Sequence, residues 1–415
     1  MRNQIEGSRA IAETVARCRP QVVPAYPITP QTHIVEAVGA MVKNGTLTPC
    51  EFITVESEFA ALSAAIGASA AGARAYTATA SQGLLYMAEA LFNAAGLGMP
   101  IVMTVANRAI GAPINIWNDQ SDAMSQRDCG WIQLYAEDNQ AAVELHVIAF
   151  RLAEALSLPV MVCVDGFVLT HAVEPIEVPT ADQVDRFLPG YRPRQLLDPD
   201  EPVTIGAMVG PEAFTEVRYL AHYQLNRALD RFAEFAADFA AITGQPTPSA
   251  VSAYRTEGAT TVVVALGSVN GTVKDTVDEY GAAVGLAALT MYRPFPAAEV
   301  REVLADADHV IVLERAFAPG AGGIVSADVR MALVGTSKRI STVVAGLGGR
   351  AVTKASLSAM LDDARSDRLP DLSFLDLRTD VVAAEIARLD VAGEIARPDV
   401  AADPTDRPID AVRIG

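Results

Sequence analysis

With 415 residues the chain has room for two to three domains of about 150 residues each, which excludes a single small module. Its 32 Lys and Arg against 50 Asp and Glu leave a net charge of −18, so the average surface repels phosphate backbones and anionic membranes, and nucleic-acid binding is not expected. Hydrophobic residues make up 51%, yet charges, Gly or Pro interrupt each apolar stretch before the ~18 residues of a membrane-spanning helix, so no membrane association is expected either.

The N-terminus, MRNQIEGSRAIAETVA, carries Glu6 and Glu13 and lacks the apolar core of a secretory signal. A helix over 6–18 is amphipathic, with Ile5, Ala12 and Val15 apart from Arg9, Glu13 and Arg17. VVPAYP (22–27) reads as a short buried strand stopped by Pro27, 31–43 as a helix and ITVES (53–57) as a strand. FAALSAAIGASAAGA (59–73) is a helix of small residues, whose backbone can lie close to another element or a ligand. AYTATAS (75–81) is a strand, SQGLLYMAEALFNAAG a helix starting near Ser81, and PIVMTVANR (100–108) a strand. A helix over 144–157 and the strand PVMVCVDGF (159–167) complete an α/β alternation typical of a doubly wound parallel sheet.

Between about 176 and 206 Pro, Asp and Arg mark a surface excursion. Residues 211–243 form a long helix whose apolar side holds Leu220, Tyr223, Leu225, Leu229, Phe232, Phe235 and Phe239. A second α/β unit follows: strands TTVVVALGS (260–268), GLAALTMY (285–292), HVIVLER (309–315) and RISTVVAGLGG (339–349), with helices near 271–280 and 297–306. The expected domains are therefore 1–255, including the excursion and helix at 176–250, then 256–365, then a charged, Pro-interrupted tail over 366–415. Cys18, Cys50, Cys129 and Cys163 are dispersed, with no CxxC pair, so no metal or cluster site is expected in this chain and a reducing cytoplasm suits it.

Four loops at strand ends concentrate residues able to do chemistry, and such ends are where open parallel sheets bind ligands. In YPITPQT (26–32), prolines on both sides restrain Thr29, which either caps the next helix or offers its hydroxyl to a ligand. In VESEFAA (55–61), Glu56 and Glu58 are both acceptable near a helix start, but Glu58 borders an apolar run of small residues, where a buried acid needs a partner. TASQGLLYM (79–87) places Ser81 and Gln82 at a helix start, as an ordinary cap or as donors to a cofactor. Arg108 closes a strand, free to grip a carboxylate or to pair with Asp119 or Asp122 in the polar loop NDQSDAM (118–124).

Taken together, YPITP, SEFAA, TASQGLLYM, the Arg108 strand end and NDQSDAM, followed by RPFP (293–296), ERAFAPGAGG (314–323) and GLGGR (346–350), resemble the alpha subunit of 2-oxoacid:ferredoxin oxidoreductases over residues 3–355, most of all the pyruvate enzymes. The resemblance implies an α/β chain: a doubly wound domain that holds the aminopyrimidine of thiamine diphosphate, then a domain like the transketolase C-terminal one. It implies that Glu58 hydrogen-bonds the pyrimidine nitrogen and so promotes ionisation of the thiazolium, that Thr29 and Arg108 bind the 2-oxoacid carboxylate, and that Ser81 and Gln82 border the cofactor. Glu56 is left as the structural member of its pair. The reaction implied is oxidative decarboxylation of pyruvate with coenzyme A to acetyl-CoA and CO2, electrons passing to ferredoxin, or its reverse.

This chain has neither cluster-forming cysteines nor a GDG…N segment for a metal-bound diphosphate. The resemblance therefore places Mg2+ and iron-sulfur clusters on partners: a beta subunit with the diphosphate site and a cluster, with gamma and ferredoxin-like delta subunits alongside. Rival acids are 2-oxoglutarate, a branched 2-oxoacid and oxalate; because a 2-oxoglutarate alpha chain often carries a gamma domain in front, the direct start of this sequence favours pyruvate. A non-catalytic scaffold would be expected to lack Glu58 or Arg108, and a free-standing decarboxylase would need the diphosphate motif in the same chain.

Overall fold

The computed structural model describes residues 2–281 and 283–395; the end of the expected tail, 396–415, lies outside the described residues. The chain divides into a compact unit of Met1–Leu375 and a second unit, Asp376–Gly415, which holds the helix Thr379–Ile395.

The first half of the compact unit contributes strands β1 (Asn3–Glu6), β2 (Val22–Ala25), β3 (Glu51–Thr54), β4 (Tyr76–Thr79), β5 (Val102–Asn107), β6 (Ile132–Tyr135), β7 (Val160–Asp165) and β8 (Val173–Ile176). The second half adds β9 (Val251–Tyr254), β10 (Thr261–Leu266), β11 (Val284–Leu289), β12 (Met291–Arg293), β13 (His309–Glu314), β14 (Arg339–Val344) and β15 (Leu372–Phe374). β5 (VMTVAN) and β7 (VMVCVD) are buried along their whole length, which is why they read as nearly continuous apolar runs rather than alternating ones. They lie in a five-stranded sheet of order β12-β6-β7-β5-β4, parallel except for β12. β2 and β3 form a separate parallel pair, linked to this sheet by a parallel bridge from Val22 to Ala75, just before β4. The second sheet runs β15-β14-β13-β10-β11-β9, parallel except for β9.

Four features differ from the expected pattern. GLAALTMY is two strands: β11 stays in the second sheet, and after Thr290 the chain crosses to pair β12 antiparallel with β6 in the first. Apolar side chains from both sheets, such as Met161, Cys163, Val262, Leu289 and Val310, then share one core. The helix expected from Ser81 breaks at Met87 into Ser81–Tyr86 and Ala88–Leu97. In the long helix Phe214–Thr243, Phe232, Phe235 and Phe239 are buried, whereas Leu220 and Tyr223 near its start are exposed. Lastly, β15 pairs with β14 and carries the compact unit on to Leu375, into the segment expected to be tail. Burial raises the thiols of Cys18 and Cys129 to about 12, in keeping with cysteines that serve as small core residues. Among the described residues no helix is long and apolar enough to cross a membrane.

Candidate active site

β2, β3, β4 and β5 run parallel, so the four loops singled out above all leave carboxyl ends on one side of the fold. Gln31 fixes the first loop: it is fully buried, and its amide donates to Tyr26 O at 2.9 Å and Ala78 O at 3.2 Å. Thr29 is exposed and does not cap the following helix, Thr32–Lys43, whose N-cap position is Gln31. It is the Thr29 carbonyl, not its hydroxyl, that faces the next site residue, accepting from Arg108 Nη1 at 2.9 Å.

Arg108 follows β5 and is 7% exposed. Its Nε donates to Asn115 O at 3.2 Å, and its Nη2 has no hydrogen bond among the described residues. The guanidinium is paired with neither Asp119 nor Asp122; its protein contacts are two carbonyl oxygens. A buried cation with only neutral acceptors is costly unless an anion completes it.

Glu58 opens the helix Glu58–Ala70, which is capped by Ser57 through an acceptance from Ala60 N at 3.1 Å. The cap turns Glu58 inward, to 7% exposure, while Glu56 stays exposed. The Glu58 carboxylate has no hydrogen bond or ion pair among the described residues. It rests on Gly83, where a β-carbon would stand 2.6 Å from Glu58 Oε1 and 2.6 Å from Thr79 Oγ1. Only glycine permits that approach. Thr79 Oγ1 is itself buried and unpartnered, so an orphan hydroxyl and a partnerless acid border the same glycine.

Ser81 is fully buried with φ at 51°, and its polar groups point into the protein. Its N–H donates to Asp122 Oδ2 at 2.9 Å, and its Oγ lies 2.5 Å from Ala109 O and in contact with Gln82 Oε1. The half-buried Gln82 side chain reaches Gly111, where a β-carbon would stand 2.6 Å from its Nε2. Ser81 is thus a fastening and Gln82 part of the wall.

The residue that joins these pieces is Asp122, considered in the sequence only as a partner for the Arg108 side chain. It is fully buried and accepts from the main-chain N–H of Ser81 (2.9 Å), Arg108 (3.0 Å) and Ala123 (2.8 Å) and from Asn107 Nδ2 (2.8 Å). Burial pushes its carboxyl up to about 6, although the four hydrogen bonds pull the other way. One carboxylate therefore sets the position of both Arg108 and the turn before Gly83.

The second sheet buttresses the polar loop. Gly348 N donates to Asp119 Oδ2 at 3.0 Å, Asn115 Nδ2 donates to Gly348 O at 3.1 Å, and Gln120 N donates to Arg315 O at 2.8 Å. Gly349, with φ at 81°, lets Trp117 pack so closely that a β-carbon there would stand 2.4 Å from Trp117 Cβ. Arg315, which follows β13, pairs with Asp165 at the end of β7 (2.8 Å), and Ser268 N donates to the same oxygen at 2.8 Å.

Comparisons with known proteins agree with this architecture. Residues 13–236 match the family described as "Pyruvate flavodoxin/ferredoxin oxidoreductase, thiamine diP-bdg", and residues 259–357 match "Pyruvate:ferredoxin oxidoreductase core domain II". The chain is 41% identical over 390 residues to pyruvate synthase subunit PorA of Methanosarcina barkeri, covering 91% of this chain and 97% of that one. It is 38% identical over 365 residues to ketoisovalerate oxidoreductase subunit VorA of Pyrococcus abyssi, covering 86% and 92%. Among solved structures, the 2-oxoglutarate:ferredoxin oxidoreductase from Magnetococcus marinus, with 2-oxoglutarate, coenzyme A and succinyl-CoA bound, superposes with a TM-score of 0.66 at 20% identity, covering 89% of this chain and 65% of that one. At that identity the likeness speaks for the fold.

Proposed function

Because the chain belongs to the pyruvate flavodoxin/ferredoxin oxidoreductase family, we propose that it is the subunit that binds the 2-oxoacid and the pyrimidine side of thiamine diphosphate in an enzyme converting pyruvate and coenzyme A to acetyl-CoA and CO2, with electrons passed to ferredoxin, or running in reverse. The observation that carries this reading is Arg108, a buried guanidinium whose hydrogen-bond partners among the described residues are carbonyl oxygens.

The contacts from Thr29 O and Asn115 O fix the plane of the Arg108 guanidinium and leave Nη2 to a substrate carboxylate, so the keto carbon next to that carboxylate is held in one orientation. Thr29 serves this grip through its carbonyl. Glu58, partnerless and partly desolvated, gains the hydrogen bond it lacks by sharing a proton with a heterocyclic nitrogen. The orphan Thr79 hydroxyl and the Glu58 carboxylate, brought together over Gly83, offer two unsatisfied polar groups to one heterocycle, so the residues present suit the cofactor. Thiamine diphosphate would supply, when bound, a nucleophilic ring carbon and a cationic ring able to act as the electron sink of a decarboxylation. Gln82 lies beside this site on the turn that Ser81 fastens, and Asp122 positions Ser81 and Arg108 together.

In this reading residues 1–255 are the cofactor domain and 256–365 the second α/β domain, whose sheet is completed by β9 and β15 from beyond those bounds, and the tail begins after Leu375. The diphosphate, Mg2+ and iron-sulfur clusters belong to partner chains: a beta subunit with the diphosphate site and a cluster, and gamma and ferredoxin-like delta subunits. The test is steady-state kinetics of the reconstituted complex carrying Arg108→Ala. Loss of a charge-assisted hydrogen bond should raise the pyruvate KM about 10- to 100-fold and leave the coenzyme A KM unchanged. Equal shifts in both would refute the carboxylate grip. A branched 2-oxoacid is the second reading, favoured by the VorA relative, and a higher kcat/KM on 2-oxoisovalerate than on pyruvate would establish it.

A further inference from the structure

Behind the first of these loops, three donor side chains from three separate elements converge. Glu6 closes β1, His33 lies in the first turn of Thr32–Lys43, and His171 sits in the turn between β7 and β8. One ligand atom of each lies within 4.8 Å of the other two. His33 Nδ1 is 2.7 Å from Glu6 Oε1, and the two imidazoles lie tilted by 35° with centroids 4.6 Å apart. His171 is oriented from behind: its Nδ1 lies 2.7 Å from the hydroxyl of Thr170, a fully buried residue whose Oγ1 also accepts Phe167 N–H at 2.8 Å.

We propose that Glu6, His33 and His171 form a binding site for a divalent transition-metal ion of the zinc class. Two imidazoles and one carboxylate with a position left for water is the donor set of open zinc sites. Imidazole and carboxylate together suit this class better than magnesium or calcium, which prefer oxygen donors alone. The Thr170 hydroxyl supplies the outer contact that metal-binding histidines regularly make through their second ring nitrogen, holding the ring still while the first is used.

The site has a mechanical consequence. Pro30, which follows Thr29, packs on Gly166 so tightly that a β-carbon there would stand 2.5 Å from Pro30 Cγ. A metal bridging His33 to His171 would pin the helix behind that loop to the β7–β8 turn, and so stiffen the segment whose carbonyl holds Arg108.

The full chain, stripped by chelator, is titrated with Zn2+ by calorimetry and with Co2+ by visible absorption. One ion per chain is expected, with His33→Ala and His171→Ala each weakening Zn2+ about 100-fold or more and Thr170→Val about tenfold. His33 is half-exposed, so its variant keeps the test readable should His171→Ala fail to fold. No binding, or affinity unchanged in His33→Ala, overturns the site.

Discussion

Arg108 and Arg315 make a close pair for comparison. Each follows the last residue of a buried parallel strand, β5 in one sheet and β13 in the other, and they are 7% and 6% exposed. Arg315 meets Asp165, itself 1% exposed, and the charge is neutralised within the fold. Among the described residues Arg108 meets only carbonyl oxygens. The same side chain in the same topological place is a lock where a carboxylate faces it and a receptor where none does. The difference lies not in the arginine but in what the chain withholds from it.

The strongest challenge to this contrast lies at the other partnerless charge. Glu58→Gln should lower kcat of the assembled enzyme about 10²- to 10⁴-fold, the usual contribution of a proton-handling side chain, with the thermal midpoint unchanged. Near-normal turnover, or a large loss of stability, would place Glu58 with the structural charges instead. Next in size, Arg315→Ala leaves Asp165 buried and unpaired, and should cost about 3–5 kcal/mol in denaturant unfolding. The Arg108→Ala chain measured beside it should lose far less, since no anion is stranded; equal losses would erase the distinction.

The smallest effect concerns the group that joins Arg108 to its surroundings. The Asp122 carboxyl stands at about 6 in the fold against an ordinary value near 3.8, raised by burial. A raised acid binds its proton more tightly when folded, so its contribution to stability is complete below about 3.8 and is lost as pH rises to about 6. Stability of the chain, compared with Asp122→Asn across that interval, should fall more steeply with pH in the unsubstituted protein. Parallel curves would mean that the four hydrogen bonds offset the burial.

Much of the site could be read from the residues because its signals are local. Arg108 ends an apolar run, Glu58 precedes a helix of small residues, and prolines flank Thr29; each oddity is visible within a few positions. Asp122 was not legible as the organiser because its partners are main-chain N–H groups, which look alike in any sequence; Ser81 lies 41 positions away. The Asp165–Arg315 pair spans 150 positions, though a carboxylate or guanidinium closing a wholly buried strand was a signal available at both ends. β12 escaped notice for another reason: three residues after an uninterrupted apolar strand look like its continuation, and only the second sheet's edge at Leu289 ends it. Likewise Leu220 and Tyr223 share the periodicity of their buried neighbours, and periodicity does not say how far along a helix its cover extends.

The crossing at Thr290 governs how the molecule can be taken apart. A polypeptide cut at residue 255 would lack Met291–Arg293 and leave β6 with a bare hydrogen-bonding rim, a surface on which other copies can add and aggregate. The remaining piece would carry an orphaned three-residue ribbon with no neighbour. Dissection by gene truncation therefore needs that ribbon supplied in trans or grafted onto the first fragment, since a clean break in sequence is not a clean break in space.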